Sequence, residues 1–61
     1  MNVEFTYIYR VDGVEYKSIC VYEQSTPVSE MVKNTRMQLG VFFGFNDEDI
    51  EEIGFAIRKR G

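Results

Sequence analysis

Residues 1–22, MNVEFTYIYRVDGVEYKSICVY, decide the fold because they specify a β-hairpin almost residue by residue. Two runs rich in β-branched and aromatic residues flank Asp12-Gly13, a pair that favours a two-residue type I′ turn with φ > 0 at both central positions. With the turn there, Val11 lies opposite Val14. The register then predicts four further cross-strand pairs: Tyr9 with Tyr16, Tyr7 with Ser18, Phe5 with Cys20 and Val3 with Tyr22.

This register divides the hairpin into two faces. The predicted core face carries Val3, Phe5, Tyr7, Tyr9, Val11, Val14, Tyr16, Cys20 and Tyr22. The opposite face, called the outer face below, carries Glu4, Thr6, Ile8, Arg10, Glu15, Lys17, Ile19, Val21 and Glu23. Apolar side chains rimmed by charge are typical of a protein-contact surface, although β-branched residues also favour strands wherever they point. The predicted contact residues are Ile8, Arg10, Lys17, Ile19 and Val21.

A helix is predicted to follow, from about Pro27 to Leu39. Ser25 or Thr26 is the expected cap, and proline suits the first turn of a helix. One face of this helix is predicted to be apolar, and it carries Val28, Met31, Val32, Thr35 and Leu39. Gly40 is the expected C-terminal stop.

The rest of the chain is predicted to complete one α+β domain over residues 1–61. Val41–Phe45 is expected to be a short irregular, extended segment that closes an edge of the core, followed by one helical turn capped by Asn46 or Asp47. Apolar residues at 53, 55 and 57 alternate with small residues, which indicates a C-terminal strand. The order is ββαβ, with the helix on one face of a mixed sheet and the third strand beside the first and parallel to it.

Three segments of the sequence resemble the ubiquitin-like β-grasp family: the N-terminal hairpin, Glu30-Met31-Val32-Lys33 in the helix, and Ile57-Arg58-Lys59-Arg60-Gly61 at the end. The resemblance implies a parallel pair of N- and C-terminal strands beneath one helix, and a module that binds other proteins. The chain also departs from the family in two respects. It is shorter between the helix and the last strand, and it has one C-terminal glycine where conjugating members have Gly-Gly. The resemblance therefore does not imply thioester chemistry.

Composition argues against several classes of function. The 61 residues carry a net charge of −3, no histidine and one cysteine, so a zinc site and a disulfide within the chain are not expected. A chain of this size leaves little room for a substrate pocket, and we expect neither enzyme activity nor a cofactor. No secretory leader and no apolar run of about 20 residues is evident, so we expect a cytoplasmic protein that does not cross a membrane.

Two alternatives to the outer face remain open. Five carboxylates, those of Asp47, Glu48, Asp49, Glu51 and Glu52, form an acidic surface that could imitate a phosphate track. Such a protein would act as a nucleic-acid mimic from a mobile element that blocks a nucleic-acid-binding or defence protein. The second alternative is an aromatic platform for nucleic acid, formed by Tyr7, Tyr9, Tyr16 and Tyr22. The net negative charge repels phosphate backbones and argues against nucleic acid as the partner. Another protein, or a second copy in a homodimer, is the expected partner.

Overall fold

Three strands, one helix and a 3-10 turn are present in the computed structural model, which describes residues 1–60. The elements are β1 (Asn2–Val11), β2 (Val14–Glu23), α1 (Val28–Phe43), the 3-10 turn (Asp47–Asp49) and β3 (Glu51–Lys59). The predicted α+β class and ββαβ order are confirmed. Gly61, on which the comparison with Gly-Gly tails depended, lies outside the described residues.

The hairpin forms as the sequence predicts. Asp12 and Gly13 have φ angles of 52° and 78°, as a type I′ turn requires. All five predicted cross-strand pairs occur, from Val11 with Val14 to Val3 with Tyr22. The face of each hairpin residue is therefore fixed by the turn alone.

The third strand lies beside β1, as predicted, but its predicted parallel direction is wrong. The sheet order is β2-β1-β3, and β3 pairs with β1 in the antiparallel sense, so neighbouring strands are antiparallel throughout and the sheet is not mixed. The reason lies in the path of the chain. The helix returns the chain to the turn end of the hairpin, where Glu51 pairs with Arg10, and β3 then runs back toward Val3. A parallel β3 would need a second crossing of the sheet, which residues 44–50 are too few to make.

The helix is one turn longer than predicted. It continues through Gly40 and Val41–Phe43 and ends at Gly44, whose φ of 71° gives the left-handed conformation of a C-cap. The predicted extended segment is therefore wrong: most of it is helical. Gly40 has a different role, since a Cβ there would lie 3.3 Å from the carbonyl oxygen of Phe45. At the other end Pro27, rather than Ser25 or Thr26, occupies the N-cap position.

The core lies between the helix and the first two strands. The alternating residues of β1 are buried, and Met31, Thr35 and Leu39 of the helix pack above them. The Tyr22 hydroxyl shares a hydrogen bond of 2.9 Å with the Thr35 hydroxyl, so the one buried polar residue of the helix is satisfied. The buried hydrophobic residues are Val3, Phe5, Tyr7, Tyr9, Val11, Met31, Leu39 and Ile50.

Candidate functional site

All five predicted contact residues lie on the outer face of the sheet, opposite the helix. Ile8 and Lys17 are direct cross-strand partners, and Ile19 lies opposite Thr6, diagonally adjacent to Ile8. Ile19 and Val21 are 57% and 46% exposed, whereas Ile8 is half-buried. The register thus gathers three β-branched side chains into one apolar centre.

Two ion pairs flank this apolar centre, one toward each end of β1. Arg10 contacts Glu51 at 3.3 Å, and Arg58 contacts Glu4 at 3.1 Å. Each pair joins β1 to β3, on the same face as Ile8. These exposed pairs add little to stability, so their main effect is to set the charge pattern of the surface.

The β3 side of the outer face is flat. Gly54 lies opposite Ile8, and Ala56 lies opposite Thr6. Neither residue projects a large side chain, so another surface can approach β1 closely from this direction. The outer face therefore combines an apolar centre, a level flank and a charged rim.

The acidic surface is not a free row of carboxylates, because several of its members bind groups within the chain. Asp47 accepts a hydrogen bond from Arg36 at 2.8 Å, and Glu52 accepts one from the Tyr7 hydroxyl at 2.9 Å. Glu51 belongs to the ion pair with Arg10. The remaining two are the exposed Glu48 and Asp49, of which Asp49 accepts a weak bond of 3.4 Å from Asn46. Three of the five carboxylates are therefore engaged by an arginine or tyrosine side chain of the same chain.

Arg36 connects four parts of the fold, a role that the sequence analysis missed. Its guanidinium donates to the carboxylate and carbonyl of Asp47, to the Tyr7 hydroxyl oxygen and to the carbonyl of Ile50. The hydrogen bond to Asp47 is the main cause that raises the pKa of Arg36 and lowers the pKa of Asp47. Arg36 and Lys33 both lie outside the apolar face that the sequence predicts for the helix, and no sequence signal distinguishes the two.

The tyrosines belong mainly to the core and its rim. Tyr7 and Tyr9 are buried, so they cannot stack on bases, and Tyr22 bonds to the helix. Burial raises the pKa of the Tyr7 hydroxyl; the Glu52 hydrogen bond acts in the same direction and the bond from Arg36 opposes it. Tyr16, at 38% exposed, is the most accessible of the four and stacks on Tyr9 with ring centroids 5.4 Å apart. A four-tyrosine platform is therefore not presented at the surface.

A second exposed apolar surface lies at the C-terminal end of the helix, and the sequence analysis missed it as well. Val41 and Phe42 are both 74% exposed, and Phe43 stacks on Phe45 with centroids 5.8 Å apart. The sequence instead predicted that these residues close an edge of the core, because Gly40 was the expected end of the helix. A helix continued past Gly40 predicts the exposure of Val41, which follows the exposed Met37 by four residues. It predicts Phe42 and Phe43 to face the core, because they continue the buried stripe of Thr35 and Leu39, so no sequence signal indicates their exposure.

Cys20 is half-buried on the core side, with its sulfur 3.6 Å from the Gln38 side-chain oxygen. Among residues 1–60 no cavity is found, and no group of three or more acidic, cysteine or histidine side chains has the spacing of a metal site. No helix within the described part of the chain is long and apolar enough to cross a membrane. Comparisons with protein-family models, with curated proteins and with solved structures found no match to this chain.

Proposed function

We propose that this protein is a small non-enzymatic binding module that contacts another protein through the outer face of its sheet. The observation that carries the proposal is an apolar centre of Ile8, Ile19 and Val21 on the face that the helix leaves uncovered within residues 1–60. Large apolar side chains gathered on one exposed face are the usual mark of a contact surface.

The rim of this surface suits a specific partner. Arg10 lies directly opposite Glu15, and Lys17 is two residues further along β2, opposite Ile8 of the apolar centre. Opposite charges arranged around an apolar centre guide the encounter and fix its orientation, while the apolar contacts supply most of the affinity. The partner that fits is a protein with a flat apolar patch and a rim of complementary charges. A reducing cytoplasm is the proposed setting, because Cys20 is a free thiol.

The acidic surface receives less support as the contact site. Asp47, Glu51 and Glu52 are engaged by Arg36, Arg10 and Tyr7, so a partner would have to compete with these contacts.

The experiment is a comparative capture from a lysate of the organism that encodes the chain. Wild-type protein and an outer-face variant, Ile19→Asp with Lys17→Glu, are immobilised at equal density. Both substituted residues are exposed, so we expect the variant to fold normally. The expected result is a specific protein retained by the wild type and lost from the outer-face variant.

Val41→Asp is the control, because it places a carboxylate on an exposed β-branched residue far from the outer face. It should capture the same protein as the wild type. If Val41→Asp abolishes capture and the outer-face variant does not, the contact site is the helix end and the proposal is wrong. Loss of capture with Glu48→Lys and Asp49→Lys, together with a steep fall as salt rises, would instead support the acidic surface.

A further inference from the structure

β3 combines an open edge with an uncovered apolar stripe. Within residues 1–60 it pairs with β1 alone, so its other edge presents unpaired backbone groups. Ile53, Phe55 and Ile57 lie on the helix side of the sheet, yet each is more than 40% exposed because the helix packs over β1 and β2 instead. Exposed, apolar edge strands are templates for pairing with another chain.

We infer that β3 pairs antiparallel with β3 of a second copy, about a two-fold axis at Phe55, to form a six-stranded sheet. A two-fold interface must be self-complementary, and the sequence of β3, EEIGFAIRK, has this property. The pairing places Phe55 beside its counterpart and Gly54 opposite Ala56 of the second copy. Ile53 and Ile57 are then cross-strand neighbours, so the two apolar stripes lie side by side and each reduces the exposure of the other.

The charges of β3 are complementary on both faces of the sheet. The strand begins with two glutamates and ends in Arg58 and Lys59, so antiparallel pairing brings acidic and basic ends together twice. Glu52, which bonds Tyr7, and Lys59, which pairs with Val3, lie on the helix side, where they are diagonal neighbours across the axis.

The outer face extends this complementarity beyond β3. The bulge between Gly54 and Glu52 takes up one extra residue, so the residue level with Arg58 across the axis is Glu51 of the second copy. Within each copy, Arg58 already pairs with Glu4 of β1, and Glu51 with Arg10 of β1. The dimer would therefore align a row of four alternating charges across the sheet: Glu4, Arg58, then Glu51 and Arg10 of the second copy.

The other edge of the sheet lacks this property. The two longest two-fold registers of β2 that oppose residues of the same face are centred on Ser18 and Ile19. The first places Glu15 opposite Val21 and Lys17 opposite Ile19, and the second places Glu15 opposite Glu23. Neither register aligns opposite charges. The charge pattern therefore selects β3 as the self-pairing edge, and it leaves the outer-face residues of β2 free for a different protein.

The first test is self-association of the full chain, measured by sedimentation equilibrium at low salt. We expect a dimer for the wild type. Arg58→Glu and Glu51→Lys should each weaken it by about tenfold or more, because each places like charges at both ends of the interface. An equimolar mixture of the two variants should restore the dimer, since positions 51 and 58 then carry opposite charges at both ends of the interface. Lys33→Glu, on the exposed side of the helix, makes the same change in net charge as Arg58→Glu and should have no effect.

The second test is a disulfide that reports the register, in a Cys20→Ser background. Directly opposed residues in an antiparallel pair have Cα atoms about 4.5–5.5 Å apart, which suits a disulfide. Phe55→Cys should therefore cross-link rapidly under mild oxidation. Ile57→Cys, which removes a similarly exposed apolar side chain, should not, because the two sulfurs would be separated by about four residues, roughly 13 Å along the strands.

A wild-type chain that stays monomeric at about 1 mM would overturn the inference, as would a dimer that Arg58→Glu leaves unchanged. Equal cross-linking of the two cysteine variants would show that the chains associate without this register. None of these results bears on capture of another protein by the outer face, so the two proposals fail independently.

Discussion

β1 and β3 are neighbours in one sheet, and both alternate apolar residues toward the helix, yet only β1 is buried. The helix-facing residues of β1 are at most 6% exposed, whereas Ile53, Phe55 and Ile57 of β3 are 42–44% exposed. The two strands even share a contact, since the Phe5 and Phe55 rings lie 5.5 Å apart. Alternation therefore determines which face of a strand is apolar, but the position of the strand under the helix determines whether that face is covered.

The attachment of the two strands also differs. β1 is held by strands on both sides and by the helix above it. β3 is held on one side by β1, and at its start by the Arg36 network and the Tyr7–Glu52 hydrogen bond. The molecule thus joins a well-packed hairpin-and-helix core to an edge strand that depends on polar contacts.

The largest expected effect comes from truncating the two contacting phenylalanines. Phe5→Ala should lower the free energy of unfolding by about 3–5 kcal/mol, which for a domain this small can leave the chain largely unfolded. Phe55→Ala should cost about 1–2 kcal/mol, because that side chain already contacts water in the folded monomer. Urea denaturation at a chain concentration low enough to keep the protein monomeric measures both values.

Phe5→Leu and Phe55→Leu are milder versions of the same comparison, for use if Phe5→Ala does not fold. The order of the two losses should be the same. Equal losses at the two positions would mean that β3 is covered in solution and that the contrast between the strands is wrong.

An intermediate effect is expected for Arg36→Met, which keeps the aliphatic part of the side chain and removes all its hydrogen bonds. The variant should lose about 2–3 kcal/mol, since two backbone carbonyls, the Tyr7 hydroxyl and the Asp47 carboxylate lose their donor. Hydrogen exchange should accelerate more in β3 than in β1 and β2, because the network fixes the start of β3. Lys33→Met is the matched control and should change neither quantity. Uniform acceleration across the sheet would show that Arg36 supports the whole fold rather than β3.

The smallest expected effect is a pH dependence that originates at Asp47. The Arg36 hydrogen bond lowers the pKa of this carboxyl in the folded protein, so its contribution to stability is present above its unfolded pKa of about 4 and is lost as pH falls below that value. Asp47→Asn should therefore lose less stability than the wild type on acidification from pH 5 to 3. Urea midpoints across this range provide the measurement, with Glu48→Gln as the control at a neighbouring exposed carboxyl. A wild-type profile that matches Asp47→Asn would show that the Arg36 contact does not form in solution.

The sequence by itself determined the hairpin, its register and the face of each hairpin residue, because a two-residue turn at Asp12-Gly13 leaves no other alignment. It also placed the five outer-face residues together for the same reason. A turn signal of this kind depends only on residues that are close together in sequence, so it can be interpreted without the rest of the chain.

Only the tertiary structure decided the direction of β3, the end of the helix and the role of Arg36. Each depends on residues far apart in sequence: β3 follows the return path of the helix, the helix continues past Gly40 until Gly44, and Arg36 bonds groups up to 29 residues away. Glycine permits a helix to end but does not require it. The same limit applies to burial, because the sequence shows which residues are apolar, whereas the width of one helix determines that β1 is covered and β3 is not.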